Sequence, residues 1–298
     1  MTVSDPTLQE APPEAAEQDA QLKTLIMTIR DLPAMPHVAS KVLELSSDPD
    51  TSAARLQQVI ADDQAMTARI LKIANSAMYA CSRRVKTLSE AIVMLGFNSI
   101  RSLVVTSAAR NLYSTGAARM GLKERLLWEH SIGTAFACRL LAERRQPALR
   151  EEAFLAGLMH DIGKLVLNLQ VPDKFEEIVQ IVYNENREFH ETEQELLGFD
   201  HAQVGALLVG KWKLSPMLED VIGHHHDPGF LTAERPLLLH LDLANRLCQK
   251  LGIGFQETTD LDLLRGPSNV ILGFSEADIA DVAQKLQHTL EGEMEVFI

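Results

Sequence analysis

Apolar residues return every three or four positions along almost the whole chain and nowhere settle into two-residue alternation. That spacing lines one face of a 3.6-residue helix, whereas a half-buried strand requires a period of two. Leu22, Leu25, Ile26 and Ile29 follow it until Leu32-Pro33-Ala34-Met35-Pro36 breaks the run, since proline lacks an amide donor and restricts its predecessor. Helices are expected over 37–46, after the capping cluster Asp50-Thr51-Ser52, after Asp62-Asp63, from Thr87-Leu88-Ser89-Glu90 up to Gly96, and over 99–112. Beyond a small-residue connector at 114–121 they are expected over 122–144, 151–169, 172–184, 201–212, 217–226, 236–251 and from Ser275-Glu276 to Glu291. The chain therefore reads as all-α. A lead-in over 1–20, rich in Pro, Glu, Ala and Gln, is expected to be disordered. Residues 21–120 are expected to form an N-terminal helical subdomain, and 121–298 a second one.

Composition narrows the class. With 46% hydrophobic residues and only 5% aromatics, the 298-residue chain suits packed helices better than a β-sandwich. The formal net charge of −13 disfavours a nucleic-acid partner, because phosphate backbones are bound by basic surfaces. Arg69, Lys72, Arg83, Arg84 and Lys86 cluster in sequence, but within so acidic a chain they read as a solvated face. Cys81, Cys138 and Cys248 are far apart and odd in number, which suits reduced, buried thiols. No signal peptide and no apolar run of about 20 residues is evident, so a cytoplasmic protein without a membrane partner is expected.

One apolar stretch carries chemistry. His160 and Asp161 stand side by side within Ala153–Leu169, read as a single helix. Burying an imidazole beside a carboxylate is costly unless something pairs them, and a divalent metal accepts both. His130, His201, His225 and His226 lie on separate segments near helix ends, which is how helical bundles assemble metal sites. Lys164, one turn after His160, falls near the same rim and is suited to an anionic ligand. The plainer alternative is that each signal is local: a hydrogen-bonded dyad, or a His224-His225-His226 run at a solvated helix terminus. His37, His190, His240 and His288 are read as core or capping residues.

These residues resemble the HDOD family, a regulatory branch of the HD superfamily of metal-dependent phosphohydrolases. Leu32-Pro33-Ala34-Met35-Pro36 is similar to its opening Leu-Pro-x-x-Pro, and Ile60-Ala61-Asp62-Asp63-Gln64-Ala65-Met66 to its Ile-x-x-Asp-Pro-x-Leu segment, with Gln64 in place of Pro. Asn75-Ser76 resembles its Asn-Ser signature, and Ala91-Ile92-Val93-Met94-Leu95-Gly96 its Ala-Ile-x-x-Leu-Gly turn. In the second half the resemblance implies metal ligands at His130, His160, Asp161, His201, His225 and His226, with His224 an extra imidazole. It implies one or two ions of Fe, Mn, Zn or Ni, or none, and catalytic roles for Asp161 and Lys164. One departure stands out. Asn245 falls where catalytic HD proteins place their last ligand, an Asp, and an amide carbonyl is a poor substitute for a carboxylate at a transition metal.

Two functions remain open on this reading. One is a stand-alone bacterial signalling or regulatory module with an impaired metal pocket, acting on a signalling protein or a phosphorylated small molecule. The other is a metal-dependent phosphohydrolase of a nucleotide, cyclic dinucleotide or other phosphoester, in which the ion activates water and polarises a phosphoryl oxygen.

Overall fold

The computed structural model describes residues 32–297 apart from 47, 49, 77, 80–82 and 114–119. The expectations for the lead-in, for the helix starting at Leu22 and for Cys81 lie outside these residues, as does most of the 114–121 connector. Every regular element among the described residues is helical. Several begin at the side chains expected to cap them. Ser52 accepts from the Arg55 amide, Asp63 from Met66, Asp200 from Gln203 and Ser215 from Leu218.

Helices α1 (His37–Ser46), α2 (Ala53–Ala61) and α3 (Gln64–Ala74) pack on α4 (Leu88–Tyr113). The two helices expected around Gly96 meet end to end in α4, where Gly96 takes φ 79° and bends the run. By length and composition α4 is long and apolar enough to cross a membrane, yet most of its apolar stretch is buried in this fold. The Asn-Ser signature has a structural use here. The Asn75 amide donates to the Val85 carbonyl at 2.8 Å and accepts the Val85 amide at 2.7 Å, closing the turn after α3.

The second half is built on α5 (Leu122–Arg145) and α6 (Arg150–Met159), which run in close contact. Gly157 permits this approach: a Cβ there would stand 2.6 Å from the Thr134 carbonyl oxygen. Next come α7 (Ile162–Gln170), α8 (Pro172–Glu185), α9 (Phe189–Leu197), α10 (His201–Lys211), α11 (Pro216–Gly223), α12 (Pro236–Lys250), α13 (Pro267–Leu272) and α14 (Glu276–Phe297). One continuous apolar core runs through both halves, from Ala39 to Phe297, and the buried Trp128 indole donates to the Phe297 carbonyl at 3.1 Å. The buried Ser99 on α4 donates to Glu151 on α6 at 3.0 Å, and Arg101 pairs with Glu152 at 3.2 Å, tying the halves together.

Three expectations are corrected. The single helix over 151–169 is two helices, α6 and α7, broken at His160-Asp161. The helix expected over 217–226 stops at Gly223, so His224, His225 and His226 form the turn beyond it. Helices α9 and α13 were not expected at all. The α9 sequence Phe-His-Glu-Thr-Glu-Gln-Glu-Leu-Leu offers little apolar period, because its buried face includes Thr192 and Glu193.

Candidate metal centre

The break between α6 and α7 is what turns the dyad into a site. His160 ends α6 and Asp161 opens α7, with Asp161 at φ −97° and ψ 8°. Local sequence does not demand this break; a tertiary contact does. Gly163 lies so close to α10 that an added Cβ would meet the His201 carbonyl oxygen at 1.9 Å. The chain must turn to bring α7 against α10, and the turn swings both dyad side chains to one side. His160, Asp161 and His201 are buried there, and His225 and Lys164 almost completely so.

Asp161 is the centre of the cluster. Its Oδ1 lies 3.1 Å from His201 Nε2 and 3.8 Å from His225 Nε2. Its Oδ2 lies 3.5 Å from His160 Nε2, 3.7 Å from His130 Nε2 and 2.8 Å from Lys164 Nζ. His226 Nε2 stands 2.9 Å from His201 Nε2. One group of donors, from Asp161, His201, His225 and His226, fits within 4.8 Å, and so does a second, from His130, His160 and Asp161. All six residues for which the resemblance implies ligation thus meet in one place. His224 does not join them; its ring stacks on Phe230 and bonds the Asp220 carbonyl.

The other ring nitrogens explain why these faces point inward. Assigning the proton to Nδ1, His160 donates to the Gly157 carbonyl at 2.7 Å, His225 to Ile222 at 2.7 Å and His130 to Ile253 at 2.8 Å. His201 Nδ1 and its backbone amide both meet Glu193 Oε2, at 2.5 and 2.8 Å. His160 and His225 are thereby held with an Nε2 lone pair facing the cluster, the arrangement in which a second layer of acceptors orients metal ligands. His160 Nε2 and His225 Nε2 are buried without a hydrogen-bond partner. Leaving such atoms unpaired is costly. A divalent cation is a partner they lack, and neutral imidazole with carboxylate is the donor set that zinc, iron, manganese and nickel accept.

The electrostatics agree. Burial and the neighbouring imidazoles and Lys164 hold the His160 pKa well below its ordinary value, against the attraction of Asp161. Burial likewise lowers His130 and His226. Burial works against ionised Asp161, but His160, Lys164, His201 and His225 outweigh it and hold its carboxyl well below the usual range. His201 is the exception: burial opposes its protonation, yet Glu193 and Asp161 raise its pKa to about 9.

Asn245, on α12, puts its side-chain amide 3.0 Å from His130 Nε2, so the unexpected amide does face the cluster. Asp242, the nearest carboxylate on that helix to compensate, instead accepts from Ser268 at 2.5 Å. Lys164 lies between Asp161 and the face of Phe189, 4.5 Å from the ring centre. These groups border a cavity of about 30 Å³ whose walls include Phe189, Phe255, Gln249 and Gln256. Sequence reading missed two residues here. Glu193 orients His201, and His190 stacks on His226 with ring centres 4.2 Å apart. Both lie on α9; their i, i+3 spacing was visible in the sequence, but nothing local linked it to His201.

A curated relative from Treponema pallidum (strain Nichols), described as an uncharacterized protein, is 26% identical over 291 residues, 94% of this chain, and this chain spans 55% of its length. An HDOD domain protein with unknown function from Geobacter sulfurreducens has a similar solved structure, with 26% identity and a TM-score of 0.77 over 95% of this chain and 97% of that one. Another, named "Putative phosphohydrolase", from Shewanella amazonensis SB2B, is 28% identical with a TM-score of 0.70 over 92% and 96% of the two chains. The family model for the HDOD domain matches residues 32–228, from the Leu-Pro opening to the turn after the paired histidines, and the chain therefore belongs to the HDOD family.

Proposed function

We propose that this chain is a signalling module in which a buried divalent-metal centre serves ligand recognition while phosphoester hydrolysis is slow or absent. The observation that carries the reading is Asn245 against His130: a neutral amide faces the cluster where the family resemblance implies a carboxylate. Two others support it. Lys164 Nζ occupies Asp161 Oδ2 at 2.8 Å, taking up a lone pair that a reactive centre would use. The cavity of about 30 Å³ has room for one or two waters, not for a nucleotide, unless its walls move.

A bound ion would supply Lewis acidity toward a phosphoryl oxygen and lower the pKa of water. The chain's own residues set what reaches it. Lys164 offers an ammonium to a phosphate, Asn245, Gln249 and Gln256 offer amides, and Phe189 with Phe255 gives the cavity an apolar side. That lining suits a small phosphorylated ligand. Elemental analysis of the purified protein, followed by assays on bis-p-nitrophenyl phosphate and p-nitrophenyl phosphate, tests the reading. Metal without turnover is expected; rapid metal-dependent hydrolysis of either substrate would sink it.

The second reading, a metal-dependent phosphohydrolase, is favoured by the inward-facing imidazoles and by the 28%-identical relative that carries a phosphohydrolase name. On that reading Asp161→Ala abolishes turnover, and a variant that kept its rate would assign the activity elsewhere.

A further inference from the structure

The two halves of the cluster are unequal, and we infer that the centre takes one tightly held ion per chain, by Asp161, His201, His225 and His226, while Asn245 and Lys164 close the other half. The inference rests on the metal-binding reading of the site and goes beyond it by assigning which half is used.

Charge separates the halves. On the His201 side a dication meets Asp161 Oδ1 and, directly behind His201, the fully buried Glu193 carboxylate. Two carboxylates thus stand against the dication in a region that water does not screen, with Lys164 on the far oxygen of Asp161 as the neighbouring cation. Among the described residues, the only carboxylate oxygen on the His130 side is Asp161 Oδ2, which already accepts from the Lys164 ammonium at 2.8 Å. Lys164 has little freedom to leave, since it is itself buried and stacked over Phe189. A dication there would face a resident cation, with a neutral amide from Asn245 in place of further negative charge.

Donor count points the same way. Three imidazoles and a carboxylate complete the four-coordinate set that zinc prefers in closed sites. His130 and His160 add two imidazoles and must share Asp161. Each half holds one buried, unpartnered nitrogen, His225 Nε2 in the first and His160 Nε2 in the second, but the remaining donors of the second half are already taken. Asp161 Oδ2 is satisfied by Lys164, and His130 Nε2 contacts Asn245.

Chelator-stripped full-length chain titrated with Zn²⁺, with bound metal counted by elemental analysis after dialysis, tests this directly. One Zn²⁺ per chain is expected, lost in His225→Gln and retained in His130→Gln. Co²⁺ in the same protein is expected to give the intense visible bands of a four-coordinate site. The double variant Asn245→Asp with Lys164→Gln is expected to rise from one ion to two. Because this is a gain, misfolding cannot imitate it. Two ions of similar affinity in the unmodified chain would overturn the inference and leave the metal reading standing, as would loss confined to His130→Gln. A double variant that stays at one ion would overturn the roles given to Asn245 and Lys164. No bound metal at all would overturn the metal reading itself.

Discussion

His201 shows how much one side chain depends on a partner that local sequence does not reveal. Its ring is held by Glu193 Oε2 at 2.5 Å, and the two are both fully buried. Glu193→Gln removes the charge while keeping the shape. The His201 pKa is then expected to fall from about 9, read by NMR titration of the metal-free protein. Zn²⁺ affinity is expected to drop roughly 10–100-fold, the usual cost of losing an orienting acceptor, as measured by competition with a chromophoric chelator. An unchanged affinity would make Glu193 a packing residue only. Five other histidines set an opposite pH response. His130, His160, His190, His226 and His240 have lowered pKa values in the folded chain, so below their unfolded value of about 6.5 the unfolded chain binds more protons. Their contribution is present above that pH and lost as pH falls. His201, with its raised pKa, contributes below about 6.5 and loses that contribution as pH rises through about 9. The melting temperature of the metal-free protein is therefore expected to fall from pH 7 to pH 5, five groups outweighing one. A flat profile over that range would contradict the assignment.

At the scale of elements, the contact that matters most is that between α7 and α10. Gly163 is the only residue type that fits, since any Cβ would lie 1.9 Å from the His201 carbonyl oxygen. Gly163→Ala must push the helices apart, costing roughly 1–3 kcal/mol or more as an overpacked contact, and must move His201 relative to Asp161. A lower melting temperature together with weaker Zn²⁺ binding is expected; loss of neither would place the α7–α10 contact elsewhere. A second tie joins the N-terminal half to the helices of the site. Glu151 on α6 accepts from Ser99 on α4 and pairs with the buried Arg139 on α5 at 3.0 Å, while Arg139 stacks on Tyr79. Among the described residues, Glu151→Ala leaves that guanidinium with only Glu143, itself exposed, as a carboxylate partner. Breaking a buried pair costs about 3–5 kcal/mol, and Glu143 should hold the loss toward the lower end. Denaturant unfolding would read it; a loss under about 1 kcal/mol, as for exposed pairs, would show the pair to be solvated.

For the whole molecule, the cluster links folding to ligand. The unfolded chain cannot assemble donors drawn from four separate segments, so an ion binds the folded state and stabilises it by mass action. At a hundredfold excess of free Zn²⁺ over Kd the gain is about 2.7 kcal/mol, visible as a rise in melting temperature that a chelator reverses. Much of the architecture was legible beforehand because its causes are local. Helical apolar spacing predicts an all-α chain, and Ser52, Asp63, Asp200 and Ser215 announce helix starts by the chemistry of their own side chains. Helix α9 was illegible because its buried face carries Thr192 and Glu193, which look like surface residues until His201 is seen against them. The break at His160-Asp161 was illegible because the dyad sits in an unbroken apolar run, and its cause is a carbonyl forty residues away.

The amino-acid sequence by itself determined most of the helices, several of their caps, and the identity of the imidazoles and carboxylate available for a metal. Periodicity and capping act within a few residues, so one strand of text contains them. Only the tertiary structure decided which nitrogens face Asp161, that Lys164 takes one of its oxygens, and that Asn245 stands beside His130. Those facts arise from helices pressed together across long stretches of chain, where distance in space, and not in sequence, sets the energy.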